Sequence, residues 1–132
     1  MGFMGLHHLG LPVQDAEKSL EFYTKGLGGK EVYRFPMGDT GKHVYFVDMG
    51  NNAVIEISGR GTGEEEANAR WSHICLQTDD IDAAFKMAIN AGAESRVEPR
   101  DAKLGNMSVR LCFVYGPDRE QIEFFQVLEG GF

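Results

Sequence analysis

Cysteine is scarce. The chain has two, Cys75 and Cys112, in 132 residues, and they do not form a CxxC pair. That excludes a disulfide scaffold and leaves two free, buried thiols as the expectation. Basic residues are also few, 13 Lys plus Arg against 20 Asp plus Glu, for a net charge of −7. With no basic cluster to neutralise phosphates, nucleic acid is not an expected partner. No apolar run approaches the roughly eighteen residues that a membrane helix needs, so a membrane is not expected either. The opening MGFMGLHH lacks the basic flank and apolar stretch of a secretory signal, and Leu6 stands where a myristoylation pattern requires Ser or Thr. The expectation is a soluble cytoplasmic protein.

What is present is an internal repeat. The stretch His8-Leu-Gly-Leu-Pro-Val-Gln-Asp15 matches His73-Ile-Cys-Leu-Gln-Thr-Asp-Asp80 in its first His, its fourth-place Leu and its final Asp. Apolar residues then recur at helical spacing, Ala16, Leu20, Tyr23 and Leu27 in the first copy and Ile81, Ala84, Phe85, Ala88 and Ala91 in the second. Asp15 and Asp80 are placed as helix N-caps, because a short side-chain oxygen satisfies the first free amides. Three strand-like runs follow each helix, about 30–35, 43–49 and 53–58, then about 95–98, 108–115 and 121–127. Gly50-Asn51-Asn52 and Gly116-Pro117-Asp118-Arg119 are the turns before the last strand of each set.

The fold class read from this pattern is α+β, two tandem βαβββ modules forming a curved mixed sheet with a cleft inside and helices outside. One domain is expected over 1–132, with module one at about 4–58, a polar connector at 59–70 and module two at about 71–127.

Strand parity then sorts side chains. If Leu9, Leu11 and Val13 pack under the helix, His8 points the other way, and His73 does so beside Ile74 and Leu76. Ile55 and Ile57 turn Glu56 into the cleft, and Ile122 and Phe124 do the same for Glu123. A carboxylate on a buried strand face costs several kcal/mol unless something compensates it. Two carboxylates beside two neutral imidazoles leave a divalent cation electrically balanced, with positions open for water or substrate. This mixed N and O set suits Ni, Zn, Co, Mn or Fe and does not select among them. His8, Glu56, His73 and Glu123 are therefore the expected metal ligands, one divalent ion per site. His7 falls on the helix-side parity and reads as structural, His43 reads as a surface residue, and Cys75 shares the parity of His73. Arg100 and Lys103, in a loop before the seventh strand, read as solvated charges, with contact to an anionic substrate tail as the alternative.

In HHLGLPVQDAEKSLEFYTKGLG, NAVIEIS, WSHICLQTDDIDAAF and VYGPDREQIEFFQ, spanning nearly the whole chain, the sequence resembles the vicinal oxygen chelate superfamily of glyoxalases, bleomycin-resistance proteins and dioxygenases. Within it, the His, Glu, His, Glu set is similar to that of lactoylglutathione lyase. The resemblance implies a homodimer, with sites formed within one chain or from modules of two. It implies a metal-dependent lyase or isomerase that moves a proton next to a carbonyl through an enediolate, with Glu123 as base and Glu56 as its counterpart. The implied substrate is a hemithioacetal of methylglyoxal. A different epimerase of the methylmalonyl-CoA kind, or a non-catalytic binding or resistance protein, stands as the alternative. Pro12 and Arg60 occupy the places where glutathione-using relatives carry a gripping Arg and Asn, so the resemblance extends to the metal chemistry and not to that thiol.

Overall fold

The computed structural model describes residues 7–62, 73–104 and 106–131. The chain divides into two compact units, Met1–Glu64 and Glu65–Phe132. Most of the expected connector, residues 63–70, lies outside the described residues, as does the start of module one before His7.

The first unit runs β1 (Leu9–Pro12), α1 (Ala16–Glu21), a π-helical turn (Phe22–Gly26), β2 (Lys30–Pro36), β3 (His43–Asp48) and β4 (Val54–Ser58). The second runs β5 (Ile74–Gln77), α2 (Ile81–Asn90), β6 (Glu94–Leu104), β7 (Met107–Tyr115) and β8 (Gln121–Glu129). Each unit is a βαβββ module with one four-stranded mixed sheet, ordered β1-β4-β3-β2 and β5-β8-β7-β6. The α+β class with two copies of one module is thus the observed architecture.

The first and last strands pair in corresponding register in the two copies. β1 pairs parallel with β4, setting Gly10 beside Glu56, and β5 pairs parallel with β8, setting Cys75 beside Glu123. Asp15 accepts a hydrogen bond from the Lys18 amide and Asp80 from the Ala83 amide, so both N-caps form as expected. The Gly50-Asn51-Asn52 turn is left-handed throughout, with φ of 120°, 50° and 63°. Asn tolerates this region better than most residues do, which is why the hairpin is built from it.

Alternation of apolar and polar residues fixes which sheet face meets each helix. Val13, Ile55, Ile57, Tyr45 and Val47 are buried in unit one, and Ile122, Phe124, Cys112 and Val114 in unit two. Complete burial of a side chain such as Ile57 or Ile122 stabilises by about 2–3 kcal/mol. A one-residue slip in β4 would turn Ile55 and Ile57 to the other face, so this burial also fixes where Glu56 points.

Three features depart from the sequence-based expectation. The first helix is regular only to Glu21, then widens into the π-turn, which the Thr24 hydroxyl steadies by donating to the Leu20 carbonyl at 2.6 Å. The chain leaves that turn through Gly29, where a Cβ would come within 2.6 Å of the Tyr23 carbonyl oxygen. Secondly, β6 is eleven residues long, so Arg100 and Lys103 are strand residues paired with Leu111 and Ser108, not loop residues. The long antiparallel pairing with β7 carries β6 well past residue 98. Thirdly, Cys112 is buried but Cys75 is exposed, because Cys75 lies on the sheet face away from α2. Among the described residues no helix is long and apolar enough to cross a membrane.

Candidate metal centre

Each unit brings together one histidine and one glutamate. His8 stands just before β1 and His73 just before β5, at the head of the strand that pairs parallel with the glutamate's strand. His8 Nε2 lies 3.7 Å from Glu56 Oε2, and His73 Nε2 lies 3.1 Å from Glu123 Oε1. The two pairs are equivalent by repeat and by register, as parity requires.

The pairs are not identical. The Glu123 side chain is 11% exposed and the Glu56 side chain 23%, and among the described residues Glu123 is the one charged residue in the core. The residue beside the carboxylate also differs. Gly10 leaves the flank of Glu56 open, while Cys75 places its thiol against Glu123. Partial burial of the sulfur, and then the neighbouring carboxylate, push that thiol pKa up to about 12. A thiol must lose its proton to ligate, so Cys75 is a poor donor here at neutral pH.

A phenylalanine backs each pair. Phe46 is the cross-strand partner of Glu56 and meets the His8 ring edge-on at 5.3 Å. Phe113 partners Glu123 and meets the His73 ring at 5.5 Å. Each stands ten positions ahead of its glutamate, a spacing legible in the repeat but invisible to a search for titratable groups alone. Both rings reduce water's access to the imidazoles and restrict their rotation.

His7 is the further departure from expectation. It is exposed rather than packed under the helix, and its Nδ1 lies 2.9 Å from His8 Nδ1, with the rings in edge contact. One of these nitrogens donates and the other accepts. If Nε2 of His8 is to carry a lone pair toward Glu56, its proton sits on Nδ1 and His7 Nδ1 accepts it. In that tautomer His7 would be the outer partner that holds the His8 ring.

The donor chemistry fits a divalent cation. His73 Nε2 and Glu123 Oε1 stand 3.1 Å apart, and this imidazole and carboxylate are residues that would hold a divalent cation, which takes the place of protons on such donors. Among the described residues no three His, Cys, Asp or Glu gather at one point; each unit brings one imidazole and one carboxylate together. His43, as expected, opens β3; it lies against the Tyr45 ring. Pro12 is exposed at the end of β1, and Arg60 is exposed in the turn after β4.

A family model described as the Glyoxalase/Bleomycin resistance protein/Dioxygenase superfamily matches residues 5–124. The chain is 32% identical to lactoylglutathione lyase of Escherichia coli O157:H7, covering 97% of this chain and 96% of that one. It is also 32% identical to the uncharacterised Bacillus subtilis protein YwbC, covering 92% and 96%. The crystal structure of TnmS3, an antibiotic-binding protein from Streptomyces sp. CB03234, superposes with a TM-score of 0.73 at 21% identity, over 96% of this chain and 98% of that one. At that identity the likeness shows a shared fold.

Proposed function

The chain belongs to the Glyoxalase/Bleomycin resistance protein/Dioxygenase superfamily, and on that premise we propose that it is a metal-dependent lyase or isomerase of the glyoxalase kind. Its two His–Glu pairs together hold one divalent ion, from one chain or from two chains of a homodimer. The substrate is a small molecule with two neighbouring oxygens, of which the hemithioacetal of methylglyoxal is the first choice. The observation that carries this reading is the pair of matched contacts, His8 with Glu56 and His73 with Glu123, at one register in both units. The 32% identity to a lactoylglutathione lyase along nearly the whole chain supports it.

His8, His73, Glu56 and Glu123 would hold the metal, with Ni, Co, Zn, Mn and Fe all compatible with two imidazoles and two carboxylates. When bound, such an ion supplies Lewis-acid stabilisation of the negative charge that develops on oxygen when the adjacent carbon loses a proton. The protein's own groups move that proton. Glu123 takes it through a carboxylate oxygen and returns it to the neighbouring carbon, and Glu56 faces the reaction from the other half-site. The Glu123 side chain is the less exposed of the two glutamates, 11% against 23%, so less water competes for the oxygen that would take the proton. Phe46 and Phe113 keep both histidines in place while the carboxylates change protonation.

The test is to load the purified protein with Ni²⁺, Co²⁺ or Zn²⁺ and assay thioester formation from methylglyoxal with a panel of thiols. Turnover that a chelator removes and added metal restores is the expected result. Absence of thioester with every thiol and every metal would overturn the lyase assignment.

A further inference from the structure

Building on that function, we infer that Arg96 binds a carboxylate on the thiol arm of the substrate, making this protein selective for anionic thiols over neutral ones. Arg96 is the looped-out residue of a bulge in β6. Ser95 is registered with Val114 and Val97 with Phe113, which leaves Arg96 with no cross-strand partner. Such a residue escapes the strict in-out alternation of its strand, so its side chain is aimed independently of the ladder. Here the guanidinium carbon lies over the Phe113 ring, 5.2 Å from its centre. That ring is the one in edge contact with His73, and Phe113 is the partner of Glu123 across β7 and β8. A permanent cation thus stands one aromatic ring away from the His73–Glu123 pair.

The charge is available. Arg34 is bound to Glu31, Arg110 to Asp82 and Asp101, and Arg119 to Glu94. Among the described residues no carboxylate pairs with Arg96, which is exposed. A guanidinium lying over a ring uses one face for the contact, and its N–H edges stay available for the two-pronged bond that a carboxylate accepts. The ring also holds the fork in place in advance of binding.

The fold does not require an arginine there. β2 of the first unit has the equivalent bulge between Glu31 and Tyr33, with Val32 looped out, and there Phe46 is covered by the rings of Tyr33 and Phe35. One half-site is therefore flanked by aromatic surface and the other by a cation. Two carboxylates balanced by a divalent cation leave the site itself without net charge, so in a chain of net charge −7 an anion is disfavoured unless a local cation offsets the chain's repulsion. Arg96 supplies that offset. Glu94 and Glu98 lie two positions to either side of it, which suits a singly charged carboxylate better than a phosphate dianion.

The test compares hemithioacetals of methylglyoxal with mercaptopropionate and with its neutral amide, which match in length and differ in charge. The wild type is expected to favour the acid, and Arg96→Gln to raise KM for the acid roughly tenfold with kcat and the amide's kinetics unchanged. Arg96→Lys should restore the preference only in part. An equal preference in wild type and Arg96→Gln would overturn the inference while leaving the lyase reading intact. A readout independent of turnover is the Arg96 side-chain Nε–H resonance, titrated with methylthiopropionate and with its amide. A shift with the acid alone supports the inference even if no thiol is turned over, in which case only the lyase reading fails. A larger response to inorganic phosphate than to the acid would overturn the assignment to a carboxylate.

Discussion

His73 Nε2 lies 3.1 Å from Glu123 Oε1, and the carboxylate of that pair belongs to a residue only 8% exposed. Replacing Glu123 by Gln keeps the size and the β8 packing but removes the base. We expect kcat to fall by about a hundredfold or more, the usual worth of a positioned general base. The metal content of the purified variant, measured alongside, separates loss of the base from loss of the ion. Turnover equal to that of the wild type would refute the role of Glu123.

The contact between His7 Nδ1 and His8 Nδ1, at 2.9 Å, predicts that His7 matters without ligating. His7→Ala frees the His8 ring to rotate and to change tautomer. Metal affinity, measured by competition with a chromophoric chelator, should weaken by about tenfold or more, as loss of an outer partner to a ligating histidine commonly does. His7→Gln, whose carbonyl can still accept the proton, should recover part of the loss. An unaltered affinity in His7→Ala would leave the residue without a function at the site.

Arg110 bridges α2 to β6 by binding Asp82 and Asp101. Its guanidinium, through the hydrogen bonds to the Asp82 carboxylate, holds that group below its ordinary value of 3.8. A carboxyl whose value is lower in the folded than in the unfolded chain adds stability above the unfolded value, and that contribution is lost as pH falls through the folded one. Asp82→Asn should therefore lower Tm slightly at pH 7, and the gap from wild type should close as the pH is taken down through 3.8 and below. The pair is exposed, so the gap at pH 7 should also shrink in high salt. A gap that widened toward low pH would contradict the assignment.

Much of this was legible in the sequence because it rests on periodicity. The two His and two Glu emerge from parity alone, since Ile55 and Ile57, and likewise Ile122 and Phe124, leave no choice about the faces of Glu56 and Glu123. The N-caps at Asp15 and Asp80 and the Asn51-Asn52 turn were equally readable, because each depends on a few neighbouring residues. What escaped depends on register and on backbone irregularity. No local pattern distinguishes a regular last turn from the π-turn at Phe22–Gly26, because Tyr23 continues the apolar spacing in either case. The bulge that frees Arg96 is set by which residues of β7 lie opposite, and the reach of β6 to Leu104 by the same long-range pairing. His7 was misread because strand alternation was extended two residues beyond where pairing begins, at Leu9, whereas His8, one residue out, still follows it.

The bulges at Val32 and Arg96 carry an implication for how a doubled molecule acquires two unlike halves. Every residue within a ladder answers to a neighbour across the strand, so changing it disturbs the sheet of its own unit. A looped-out position answers to none. Mutation can accumulate there without cost to the shared architecture, and a symmetric ancestor can become a lopsided receptor by altering one unpaired amino acid.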